Sequence, residues 1–181
     1  MRTVERRNEG FAVWITGLPA SGKSTIAAAL KAQLAERGVD VAVLESDVLR
    51  KVFTGDRRYD APGRDAFYRQ MFFVGSLLVE HGVPVIFDAT ANRRAYRERA
   101  RREIDRYIEV YVDVPLAVCM ARDPKGIYRN AAAGGASNVP GLQDPYEPPE
   151  TPDVVVHGEN PEGDARRVIE KLMEKGYLKI A

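Results

Sequence analysis

The stretch Gly17-Leu18-Pro19-Ala20-Ser21-Gly22-Lys23-Ser24 carries the clearest chemistry in this 181-residue chain. It fits the pattern G-x-x-x-x-G-K-[ST]. Glycines at both ends let the backbone turn tightly, so that successive N–H groups can point inward at phosphate oxygens. The helix expected to follow, with Thr25 next in line, adds its positive N-terminal end. Lys23 has the reach for β- and γ-phosphates, and the Ser24 hydroxyl can ligate magnesium. The alternative is an ordinary strand-to-helix turn. A strand pattern before the motif and a helical pattern after it favour nucleotide binding, with ATP and Mg2+ as the implied ligands.

Two carboxylates come next. Asp47 lies three residues past an apolar run at 41–44. In open α/β sheets ligands gather at the carboxyl ends of strands, where a carboxylate can take a proton from an attacking hydroxyl or help hold the metal. It is also the residue type that caps a helix over 48–53. Asp88 ends a further apolar run and fits either a magnesium-ligated water or a cap on the next turn.

The elements that must position these groups follow from apolar periodicity. Strands are expected at 11–15, 41–44, 83–87, 108–112 and 154–156, and helices at 23–37, 64–81, 93–104, 115–120 and 163–175. Gly38 and Gly82 sit where a C-terminal glycine ends a helix. Strand and helix in alternation imply a parallel sheet covered on both faces. Residues 131–152 break the rhythm with three glycines and five prolines. So long a stretch inside one domain reads as a functional loop or lid.

Composition removes other chemistries. Two histidines (His81, His157) and one cysteine (Cys119) argue against zinc and thiol redox sites, and a G-x-S-x-G elbow is absent. Lys plus Arg (27) nearly balances Asp plus Glu (26), which leaves no net field to draw in nucleic acid or a membrane. No apolar run approaches the roughly 20 residues of a membrane span, and a cytoplasmic protein is the simplest account. Seven arginines fall between Arg93 and Arg106, but Glu98, Glu103 and Asp105 interrupt them. They read as a solvated helix face with one or two arginines aimed at phosphate or sulfate. Trp14 and Cys119 read as core packing.

From the phosphate loop onward the chain resembles the adenylylsulfate kinase (APS kinase) family. The most specific segment is Ile108-Glu109-Val110-Tyr111-Val112-Asp113-Val114-Pro115-Leu116, followed by Cys119 and Arg122-Asp123-Pro124-Lys125-Gly126-Ile127-Tyr128. It is similar to the family's EVYVDTPLEVCxxRDPKGLY. Gly141-Leu142-Gln143-Asp144-Pro145-Tyr146-Glu147-Pro148-Pro149 resembles its lid segment TGIDDPYEAP. The resemblance implies a P-loop NTPase fold of nucleoside-kinase type, a three-layer α/β sandwich with a five-stranded parallel sheet and a Gly/Pro-rich lid at about 125–150. Residues 1–10 would be an N-terminal extension to a single kinase domain at 11–181.

The implied activity is transfer of the γ-phosphoryl group of ATP to the 3′-hydroxyl of adenosine 5′-phosphosulfate (APS), within a homodimer. Lys23, Asp47 and Arg50 would be catalytic, and Arg122 would lie near ATP. Asp47, Arg50, Arg64, Phe67, Asp88, Lys125 and Leu142 would form the acceptor side, with Arg69 matching a later family arginine. Ser24 would hold magnesium, with Asp47 or Asp88.

Departures cluster on that acceptor side. The family's DGDN is Glu45-Ser46-Asp47-Val48, the asparagine of ENIRR is Phe67, and ISP is Thr90-Ala91-Asn92. The lid phenylalanine aligns with Val139. The readings left open are APS kinase with an altered acceptor site, a related kinase for another nucleotide or small hydroxyl compound, and a catalytically silent ATP-binding module.

Overall fold

The computed structural model describes residues 10–53 and 59–179. The expected N-terminal extension therefore falls, but for Gly10, outside the described residues. Five strands form one parallel sheet: β1 (Ala12–Gly17), β2 (Ala42–Glu45), β3 (Val85–Asp88), β4 (Tyr107–Val112) and β5 (Val154–Val156), in the order β2-β3-β1-β4-β5. All six residues of β1 are buried, as a central parallel strand covered on both faces requires.

Side chains alternate across β1 and sort the core into two layers. Val13 and Ile15 face a cluster with Ile26, Leu30 and Leu34 of α1 (Lys23–Ala35) and Val168, Ile169 and Leu172 of α7 (Pro161–Glu174). Ala12 and Trp14 face the other cluster. There Phe67, Met71 and Phe72 of α3 (Ala61–Glu80) pack with Tyr96 and Ala100 of α4 (Arg94–Glu103). The result is the expected three-layer sandwich. Trp14 stacks on Phe87 at 4.5 Å and donates its indole N–H to the Ala89 carbonyl at 3.2 Å. Cys119, in α5 (Leu116–Arg122), is buried core. Gly75 lets α3 approach β3, because a Cβ there would lie 2.1 Å from the Phe87 ring.

The expected strands and helices are present with shifted ends. Helix α3 begins at Ala61 rather than 64, because Asp60 caps it by accepting from the Gly63 N–H at 2.9 Å and proline occupies its first turn. Asn160 does the same for α7. Gly38 and Gly82 adopt the left-handed conformation after their helices. Helix α2 (Ser46–Phe53) starts early enough that Asp47 lies inside its first turn, where a carboxylate favours the dipole, rather than at the cap. The sequence gives no expectation of α6 (Ile127–Ala132), which opens the lid.

Candidate active site

The phosphate loop joins β1 to α1, and its glycines are sterically required. Gly17 has φ +157 and a Cβ there would stand 2.7 Å from the Val112 carbonyl; Gly22, at φ +102, supplies the left-handed N-cap of α1. Lys23 is buried and donates from Nζ to the Leu18 carbonyl at 2.8 Å. Burial lowers its pKa to about 8, against the opposing pull of Asp88 and Asp47.

This loop forms one wall of a cavity of about 1250 Å³, more than a single drug-sized ligand needs. Pro19, Ala20, Gly22, Lys23, Ser24 and Thr25 line one end, with Arg122 on the lid side. Asp47, Arg50, Arg64, Asp88 and Lys125 line the rest. The site residues drawn from separate parts of the chain are therefore brought together around one space.

Asp47, Arg50, Arg64 and Lys125 are each held by a neighbour. Lys125 donates from Nζ to Asp47 Oδ2 at 2.5 Å, an exposed pair that raises the lysine pKa. Asp88 is almost wholly buried at the end of β3. It does not cap the following helix, which begins at Arg94 and takes its cap from the Glu147 carboxylate, accepting from the Arg94 N–H at 2.8 Å. The buried Arg50 guanidinium lies 3.9 Å from the Phe67 ring centre and 4.9 Å from that of Tyr59. Arg64 pairs with Asp144 and donates to the Asn138 carbonyl, so its charge is already engaged by the lid.

The lid rests on the phosphate loop. Tyr128 donates its hydroxyl to the Pro19 carbonyl at 2.9 Å, and burial raises its pKa. At Gly141 (φ +84) a Cβ would be 2.5 Å from Leu18 Cδ2. Asp123 anchors the start of α6 by accepting from the Tyr128 and Arg129 N–H groups at 3.3 and 3.0 Å.

Several of the residues named from the sequence stand away from the cavity lining. Phe67 does not line the cavity: its side chain is fully buried beneath Arg50, since an apolar ring on the inner face of α3 goes to the core. Leu142 is 40% exposed and lies outside the cavity lining, in a turn closed by the Leu142 N–H donating to the Val139 carbonyl. Arg69 is exposed and pairs with Asp65 on its own helix. None of the arginines of α4 lines the cavity; Arg97 and Arg101 instead turn inward to Glu109. Tyr59, Tyr68, Asn138 and Gly158 line the cavity without having been foreseen. An aromatic ring just before the Asp60 cap was the available signal for Tyr59.

The model of the adenylylsulphate kinase family matches residues 9–157. The chain belongs to this family. It is 40% identical over 177 residues to the adenylyl-sulfate kinase of Halothermothrix orenii, an alignment spanning 97% of this chain and 96% of that one. The structure of the Mycobacterium tuberculosis APS kinase in complex with AMPPNP and APS superposes with a TM-score of 0.86 at 33% identity, covering 92% of this chain and 99% of that one. Shikimate kinase from Aquifex aeolicus, at 16% identity, a TM-score of 0.56 and 92% and 98% coverage, shares the fold alone. As a family member the chain is an ATP-dependent phosphotransferase. Among the described residues no helix is long and apolar enough to cross a membrane.

Proposed function

We propose that this kinase transfers the γ-phosphoryl group of ATP to the 3′-hydroxyl of APS, yielding the 3′-phosphorylated nucleotide (PAPS) used in sulfate assimilation. One observation carries the reading. Lys23 and the phosphate loop face Asp47, Arg50 and Arg64 across a single cavity roofed by the lid. Phosphoryl transfer asks little covalent chemistry of a protein and depends on alignment and neutralised charge.

In this scheme Lys23 leaves the Leu18 carbonyl and pairs with the β- and γ-phosphates, and the loop N–H groups solvate the same oxygens. Lys125 turns from Asp47 toward the transferring phosphate, which frees the carboxylate to orient the acceptor hydroxyl and take its proton. Arg50 and Arg64 bind the acceptor's anionic group. Because Asp144 holds Arg64, the lid closes around the acceptor's charge and excludes water. Arg122 borders the nucleotide.

Ser24 and Asp88 fit a magnesium ion. Both are oxygen donors on the cavity wall. That pattern suits a magnesium bound mainly by phosphate and water. Held there, it would supply positive charge to neutralise phosphate oxygens. A cytoplasmic setting and a homodimer belong to the same reading. The exposed Val52 and Phe73 on α2 and α3 support the dimer, which sedimentation would test.

A second acceptor class is favoured by one substitution. Val139, where the family stacks a phenylalanine, is buried in the lid and offers the acceptor no ring. An ATP-coupled assay with APS, other 3′-hydroxyl nucleotides and small hydroxyl compounds decides. Turnover fastest with APS supports the first reading, and fastest with another acceptor the second. ATP binding with no transfer to any acceptor would leave a nucleotide-binding module.

A further inference from the structure

We propose that Arg97 is a positioning residue for the acceptor half of the site, fixing both the β3–α4 segment and the returning end of the lid with one guanidinium. The inference rests on the reading that the Asp47 half of the cavity holds the acceptor. Arg97 is 1% exposed. Its Nε donates to Glu109 Oε1 at 2.7 Å, one terminal nitrogen donates to the Ala91 carbonyl, and the other donates to the Glu147 carbonyl at 2.6 Å. Each donor thus serves a different chain segment.

Both backbone partners are placed where they matter. Ala91 has φ +42, a left-handed conformation that alanine rarely adopts. It sits between Thr90 and Asn92, which line the cavity. Its N–H donates to the Tyr68 hydroxyl at 2.9 Å, so the peptides on both sides of this residue are pinned. Glu147 begins the chain's return from the lid. Its N–H donates to the Asn92 carbonyl at 2.8 Å, and Asn92 Nδ2 donates to Asp144 Oδ2 at 3.1 Å and to the Pro145 carbonyl at 3.0 Å. Asp144 is the partner of Arg64. Arg97 therefore stands behind the whole chain of contacts that sets where Arg64 points.

The residue type fits this task. A buried ion pair is often no more stabilising than an apolar pair of the same volume, which argues against stability as its sole use. A rigid fork with donors in three directions can hold three acceptors, whereas a lysine ammonium on a flexible stem cannot reproduce that geometry. Arg101 provides the internal comparison. It also pairs with Glu109, at 3.3 Å, and with Asp153 at 2.8 Å, yet it touches neither Ala91 nor Glu147.

The test compares Arg97→Lys with Arg101→Lys in the full chain. Arg97→Lys should raise the KM for the acceptor at least tenfold, leave the KM for ATP within twofold, and speed hydrogen exchange at the Glu147 amide. Arg101→Lys, matched for its loss in melting temperature, should change none of the three. An unchanged acceptor KM in a folded Arg97→Lys variant would overturn the proposal, and so would equal effects from both variants. Should Arg97→Lys not fold, exchange in the wild-type protein decides. The amides of Ala91 and Glu147 must then open at matched rates, and independent opening refutes the clamp. If APS proves not to be the acceptor, the exchange readout still tests the clamp, so the two failures are distinguishable.

Discussion

Lys23 should make nucleotide binding depend on alkaline pH in a way that can be worked out beforehand. In the free protein, burial lowers its pKa from 10.5 to about 8. At about 1.4 kcal/mol per pKa unit this corresponds to roughly 3 kcal/mol against the charged form. A triphosphate restores the charge, so above pH 8 binding must take up a proton. At pH 9.5 only about 3% of the free protein carries a charged Lys23, and apparent affinity should be about thirtyfold weaker than at pH 7, or about 2 kcal/mol.

The assay is calorimetric titration with a non-hydrolysable ATP analogue and magnesium, in buffers of different ionisation heat. Uptake of close to one proton is expected at pH 9.5. Lys23→Arg should bind more weakly but with no slope, since arginine stays charged throughout. A flat wild-type profile, or an equal slope in the arginine variant, would refute the reasoning. Without nucleotide, the folded protein releases this proton before the unfolded chain does. The resulting penalty on stability is full below pH 8 and disappears as pH rises from about 8 to 10.5.

Other consequences are equally direct. Asp47→Asn should lower kcat about 10²- to 10⁴-fold with ATP affinity little changed; collapse of affinity in a binding assay would assign the carboxylate to the metal instead. Arg64→Lys should raise acceptor-independent ATP hydrolysis relative to transfer, because lysine cannot hold Asp144 and the Asn138 carbonyl together; an unchanged ratio would remove Arg64 from lid closure. Gly75→Ala gains about 1 kcal/mol of helix propensity but forces a Cβ onto the Phe87 ring. Overpacking of about 1–3 kcal/mol should win and lower the melting temperature, with Phe87→Leu restoring part of the loss.

What could be read from the sequence was what is local. The phosphate loop has fixed residue types at fixed spacing within eight positions, and β5 was bounded correctly because a short apolar run stands alone between turn residues. Arg64 was singled out through the family resemblance and lines the cavity, but its partner is 80 positions away and no local pattern joins the two. Helix α6 was hidden by the glycines and prolines downstream of it. The arginines of α4 looked like a solvated face, and what betrays the inward pair lies in another element. Glu109 is a lone carboxylate in β4, where five of six residues are buried, and it requires a buried cation. Phe67 shows the opposite error. Its place in an acceptor motif suggested contact, while its apolar chemistry sends it to the core.

Strand β1 bears on how the kinase would fail when heated. It is bonded on one edge to β3 and on the other to β4, with all its side chains enclosed. The phosphate-loop cradle thus grows from the part of the domain with the least freedom to fray, whereas the roof is loop and a six-residue helix. During warming, catalysis should vanish while analogue binding persists, and the cradle should be lost only when the sheet itself comes apart.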